Sequence, residues 1–387
     1  MSTSPNADEY LSDPRFHRTF NFTLPASPSH NLASPLPFQV SYADFGHSSP
    51  DNVLLIFGPL CASRLLHVAK LRLVTSHHIR IIHPDRPGFG KTTPLNPTQR
   101  LPLWREALVA LLRHLGITHV AMVAHSGGTV FAVDFALHFP EFLANPSLSA
   151  SPSSLPSSSQ PSSPPLPAGQ ESEKSQSQRD KKKGVLVIAA PWILPSHSGV
   201  ALLGMAKALP VGVLKWTDWT AKTVNNRIGP MAGKILGSFG GLGATETKEE
   251  GEDEKFEKGI WHAVMKNVYA EGAEGMSDEA VLLLQKHGDW SDWGDYDVAI
   301  PRLVEVLREK GIELRVDVYF AAKDTLIGAP KGKGPEWFTQ CWEKSAGSDG
   351  VLEFYRHEVE GVDHDSIWSC GSRVVTEVFE RLSVGAS

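Results

Sequence analysis

Three cysteines in 387 residues, Cys61, Cys341 and Cys370, are too few for a disulfide framework and fit a reducing compartment. No apolar run approaches the ~20 residues needed to span a bilayer. The polar N-terminal stretch with Pro5, Asp8 and Glu9 holds no signal-like apolar core, so the expected location is the cytoplasm. Basic residues are not in excess: 37 Lys and Arg stand against 43 Asp and Glu, a formal charge of −6. Nucleic acid is therefore not an expected partner. No His-x-x-x-His or Cys-x-x-Cys pair occurs, so no metal and no cofactor is expected.

What is present is an alternation of apolar strand-like runs and helical patterns. Phe38–Gly46, Asn52–Gly58, Ile79–His83, Gly184–Ala190, Arg315–Ala321 and Val351–Val359 read as strands, several apolar enough to be buried on both faces. Leu101, Trp104, Leu108, Leu111, Leu112 and Leu115 recur at helical spacing, and Gly116 fits that helix's end. Such alternation predicts an α/β fold, a doubly wound and mostly parallel sheet.

Residues 119–128, His-Val-Ala-Met-Val-Ala-His-Ser-Gly-Gly, carry the chemistry. A β-type run ends in a serine with small residues two positions to either side, Ala124 and Gly128, and a helical pattern follows at once. This is the pattern of a nucleophile elbow, which lifts Ser126 Oγ out of the sheet with the Gly127 N–H beside it. Ser-Gly-Gly on its own would be an ordinary turn; the surrounding pattern decides.

With Phe57-Gly58-Pro59-Leu60, the Asp85–Gly90 loop (Asp-Arg-Pro-Gly-Phe-Gly) and a late Asp/His pair in the same order, the chain resembles the α/β-hydrolase superfamily, in its capped, serine-nucleophile branch. The resemblance covers residues 36–140 and 184–385. It implies a triad in the order serine, acid, histidine: Ser126 as nucleophile, Asp324 just beyond the strand Arg315–Ala321, and His364 beyond Val351–Val359. Seen alone, Asp324 and His364 would each read as surface loop residues. The oxyanion loop departs from the family's His-Gly-X. Phe57 replaces the histidine, and Pro59 at X has no N–H to donate. Gly127 and Leu60 are then the expected oxyanion-hole donors. A hole lacking its second donor would leave a poor enzyme or a ligand-binding protein.

The domain plan is an N-terminal extension with a first strand (1–35), hydrolase core (36–144), a Ser/Pro-rich disordered insertion (145–183), a core strand (184–191), a helical cap (192–300) and the rest of the core (301–387). The acidic tract Thr245–Lys258 within the cap reads as a solvated linker or a partner-binding tail. The stripe from Leu202 to Leu214 suggests a cap helix or a peripheral membrane contact, broken at Gly204 and Pro210. His125, Trp192 and Trp216 are the expected pocket residues, giving a largely apolar, aromatic site. The expected function is a serine esterase acting on a small or medium apolar ester. The alternatives are thioester, lactone or carbon–carbon bond hydrolysis, or ligand binding without turnover.

Overall fold

The computed structural model of the chain describes residues 6–48, 52–60, 63–144, 182–212, 250–272, 275–286, 294–347 and 349–384. Eight strands form one sheet: β1 Arg18–Leu24, β2 Leu36–Gly46, β3 Val53–Phe57, β4 Arg80–Pro84, β5 Ala121–His125, β6 Lys182–Ala189, β7 Ile312–Ala321 and β8 Leu352–Val359. Their spatial order is β1-β2-β4-β3-β5-β6-β7-β8. β1 and β2 pair antiparallel, as do β2 and β4, and every later neighbour pairs parallel. The central strands β3 (Val-Leu-Leu-Ile-Phe) and β5 (Ala-Met-Val-Ala-His) are buried at every position, as strands covered on both faces must be. β1 instead alternates and is half exposed, the pattern of an edge strand.

Among the described residues the α-helices are α1 Ala7–Leu11, α2 Leu71–Ser76, α3 Arg100–His114, α4 Gly128–His138, α5 Pro195–Ser198, α6 Ala201–Ala208, α7 Glu252–Glu271, α8 Gly275–Leu283, α9 Tyr296–Lys310, α10 Lys333–Ser345 and α11 Arg373–Val384. α3, α4, α9 and α10 pack against one another in sequence. α2 packs on β2 and β4, where His77 meets Phe379 of α11. The sheet is thus doubly wound, as expected. Because β3 to β8 run in one direction, the loops after β3, β4, β5, β6, β7 and β8 gather along one edge, where open α/β sheets place their sites.

Three sequence expectations change. The acidic tract is not a solvated linker from Glu252 onward: it opens the 20-residue helix α7, which packs on the segment Arg64–Lys70 and on α1. Its Glu257 is buried against Lys70, and partners so distant in sequence leave no local signature. The core resumes at Tyr296 rather than at residue 301. Pro301 lies inside α9, where its ring costs the helix roughly 3 kcal/mol, and burial of Tyr296, Ala299, Ile300, Leu303, Val304 and Leu307 outweighs it. The third change is at residues 182 and 183, which begin β6 instead of ending the insertion; residues 145–181, Trp216, Trp290 and Trp293 lie outside the described residues. Within α6 Leu203 is buried and Met205 is 62% exposed. Among the described residues no helix is long and apolar enough to cross a membrane.

Candidate active site

β5 ends at His125 and α4 begins at Gly128, so only Ser126 and Gly127 make the turn. Ser126 pays for this with a φ of +51°, a region that favours glycine. Its N–H donates to Ala189 O (3.1 Å) and its carbonyl accepts from Trp192 N (3.1 Å), which clamp the strained residue to the chain leaving β6. A Cβ at Gly128 would collide with the Phe57 carbonyl, and that is why a glycine must stand two residues after the serine.

The structure brings the three expected residues into one hydrogen-bonded chain. His364 Nε2 lies 2.8 Å from Ser126 Oγ, and His364 Nδ1 lies 2.7 Å from Asp324 Oδ2. Asp324 sits in the turn after β7, and its other oxygen, Oδ1, accepts from the N–H groups of Leu326 and Ile327, both at 2.9 Å. Its two oxygens are therefore assigned, and one faces the imidazole. Ser126, Asp324 and His364 are all buried. Burial of His364 opposes its charged form, but the hydrogen bond and charge of Asp324 outweigh it and hold the imidazole pKa above its ordinary value. The flanking carboxylates do not compete. Asp363 Oδ1 is taken by the N–H and hydroxyl of Ser366, and Asp365 makes only a longer-range contribution to His364.

His125, an expected pocket residue, packs beside His364. Its ring is buried 5.7 Å from that of His364, and its Nε2–H donates to the His364 carbonyl at 2.8 Å. Burial, then the nearby His364, pushes its pKa down to about 3, so it stays neutral and supports the histidine loop from behind. Trp192 does lie at the elbow, yet its indole is buried and its Nε1–H donates to Leu283 O on α8. Trp216 lies outside the described residues.

The oxyanion loop follows β3. A Cβ placed on Gly127 would stand 3.5 Å from Leu60 N and 2.9 Å from Leu283 Cδ1, so the loop and α8 both close on the elbow. Pro59 has no N–H, and the next amide, Leu60, is the one that lies beside Gly127. Phe57, where the family carries histidine, is buried against Phe135. Arg86 was not singled out by the sequence. Its Nη1 donates to Gly58 O and its Nη2 to Pro59 O, each at 2.6 Å. The only sequence signal is an arginine in the turn-rich loop after β4, at the functional edge of the sheet.

Residues 52–178 match the family described as alpha/beta hydrolase fold. No curated protein sequence matches the chain. Among solved structures, it is similar to a putative lipase from Acinetobacter baumannii, with 12% identity, 100% of this chain and 98% of that one covered, and a TM-score of 0.53. A thermophilic esterase from Thermogutta terrifontis is similar at 15% identity, 95% and 100% coverage and a TM-score of 0.51. A structure from a study of carboxylesterases of Nitrososphaera gargenis is similar at 14% identity, 94% and 99% coverage and a TM-score of 0.50.

Proposed function

We propose that this chain, which has the α/β-hydrolase fold, is a serine esterase that cleaves a small or medium apolar carboxylic ester through an acyl-enzyme. The observation that carries the reading is the buried Ser126–His364–Asp324 hydrogen-bond chain at a strained elbow. Ser126 Oγ attacks the ester carbonyl while His364 Nε2 takes its proton, and Asp324 holds the Nδ1–H and balances the imidazolium. The oxyanion of the tetrahedral intermediate is held by the N–H groups of Gly127 and Leu60. His364 then protonates the departing alcohol. Water, deprotonated by the same imidazole, attacks the acyl carbonyl and releases the acid from Ser126. The similar structures include esterases and a putative lipase, which agrees with an ester substrate. The Leu60 amide supplies a second donor despite Pro59, which weighs against a protein that only binds its ligand.

A fluorophosphonate probe and activated esters of graded acyl length test the reading. The expected result is labelling and hydrolysis by the wild type, both abolished in Ser126→Ala. Labelling retained in full by Ser126→Ala would overturn the assignment.

A further inference from the structure

We propose that Arg86 is the positioning residue of the oxyanion hole, and that Glu279 on α8 locks it, so that cap and hole are built as one unit. This rests on the serine-hydrolase reading above. The Pro59–Leu60 peptide is trans, since the described residues contain no cis bond, so its C=O and N–H point in opposite directions. Arg86 Nη2 grips the Pro59 carbonyl and Nη1 grips that of Gly58. Fixing that carbonyl on the arginine side turns the Leu60 N–H away from it, and Leu60 N lies beside Gly127. A loop without a usable N–H at Pro59 needs such a device, because its remaining donor stands one residue farther along.

The guanidinium is itself fixed on every side. Glu279 accepts from Arg86 Nε at 2.8 Å and from Nη2 at 2.6 Å, a bidentate pair. The Glu279 carboxylate is fully buried and also takes Arg100 Nη2 at 3.1 Å. The Phe131 and Phe89 rings stand 5.1 and 5.6 Å from the Arg86 guanidinium carbon. A planar fork with two donors for two carbonyls and two for one carboxylate is a task lysine cannot perform. Gly275, at the start of α8, donates its N–H to Gly88 O in the same loop as Arg86, so α8 is tied to that loop at a second point.

The test compares wild type, Arg86→Lys and Glu279→Gln for kcat and KM on one short activated ester, and for affinity toward a phenylboronic acid. The boronate forms a tetrahedral adduct on the serine and places an oxygen in the hole. Removing one oxyanion donor outright costs about 10²–10³ in kcat, so a misdirected one in Arg86→Lys should lower kcat about ten- to a hundredfold. KM should stay within about threefold, and boronate affinity should weaken in proportion to kcat/KM. A purely structural role would lower the melting temperature without this parallel, and that result overturns the proposal. Glu279→Gln keeps size and an acceptor, so it serves should Arg86→Lys fail to fold. It should show a smaller loss in the same ratio, and wild-type kcat there overturns the lock. Absence of any Ser126-dependent hydrolysis or labelling in the wild type is a different result, one that removes the hydrolase reading itself and this proposal with it.

Discussion

Asp324 and the two carboxylates beside His364 differ in what their oxygens already hold. Asp324 Oδ2 has the imidazole, whereas Asp363 is engaged by Ser366 and Asp365 has no hydrogen bond to the ring. Asp324→Asn should therefore keep the fold and lower kcat by several orders of magnitude, since the amide favours the wrong tautomer. Asp363→Asn and Asp365→Asn should cost far less; equal, small losses in all three would remove Asp324 from its role. The raised His364 pKa fixes the pH response. A general base must be neutral, so kcat/KM should rise with pH through a limb above the ordinary imidazole value of about 6.5. For stability the sign is opposite: the charged imidazole's contribution is complete below its unfolded value and is lost as pH rises through the folded one. Burial pushes Asp365 up to about 6 against the opposing pull of His364, with Asp363 and Asp324 adding to the rise, and its carboxylate in turn helps to raise His364. In Asp365→Asn the acid limb should move to lower pH with kcat retained, as measured by a pH–rate profile. A limb that stays put would show that Asp365 does not act on the imidazole.

α7 is held by charges that its own sequence makes look solvated. Glu257 Oε1 pairs with Lys70 Nζ at 3.0 Å, and its Oε2 accepts the Cys370 N–H at 2.6 Å, just beyond the His364 loop. Arg64 binds Glu271 at the other end of the helix while also holding the buried Asp85. Burial of Lys70 opposes its charge, but Glu257 outweighs it and keeps the ammonium above its ordinary pKa. Lys70→Met leaves a buried carboxylate without its partner and should cost about 3–5 kcal/mol. Adding Glu257→Gln, which retains an acceptor for Cys370, should recover most of that loss. Urea unfolding of the two variants and the wild type decides it, and an unaffected single variant would mean that α7 is not docked through this pair. These residues also explain what was legible. The central strands and the elbow could be read because apolar runs and small-residue spacing are local. The proximity of Ser126, Asp324 and His364 could be read because each follows a strand at one edge of the sheet. α7 could not, because its partners Arg64 and Lys70 lie far away in sequence. Arg86 was hidden for the same reason: its meaning lies in two carbonyls after β3 and a carboxylate on α8.

At the scale of the whole molecule, the candidate site occupies one edge of the sheet and the long insertion leaves from the other. β6 begins at Lys182, opposite Ile312 at the start of β7, while Ser126 lies at the strands' far ends. The eight residues of β6 separate the two by roughly 25 Å at about 3.3 Å per residue. The attachment points are close to each other: a Cβ on Gly184 would stand 2.9 Å from Leu143 Cβ, so the chain before the insertion already lies on the strand that follows it. Nothing in that geometry requires a long connection. Replacing residues 145–181 with a short Gly/Ser linker should leave kcat and KM on an activated ester unchanged. Shortening the loop several-fold also lowers its closure cost by about 1 kcal/mol, so the melting temperature should hold or rise slightly. Thermal melts and ester kinetics on the two proteins make the comparison. A fall of more than a few degrees would show that the insertion packs on the core, and loss of most activity would show that it reaches the opposite edge, where Ser126 lies.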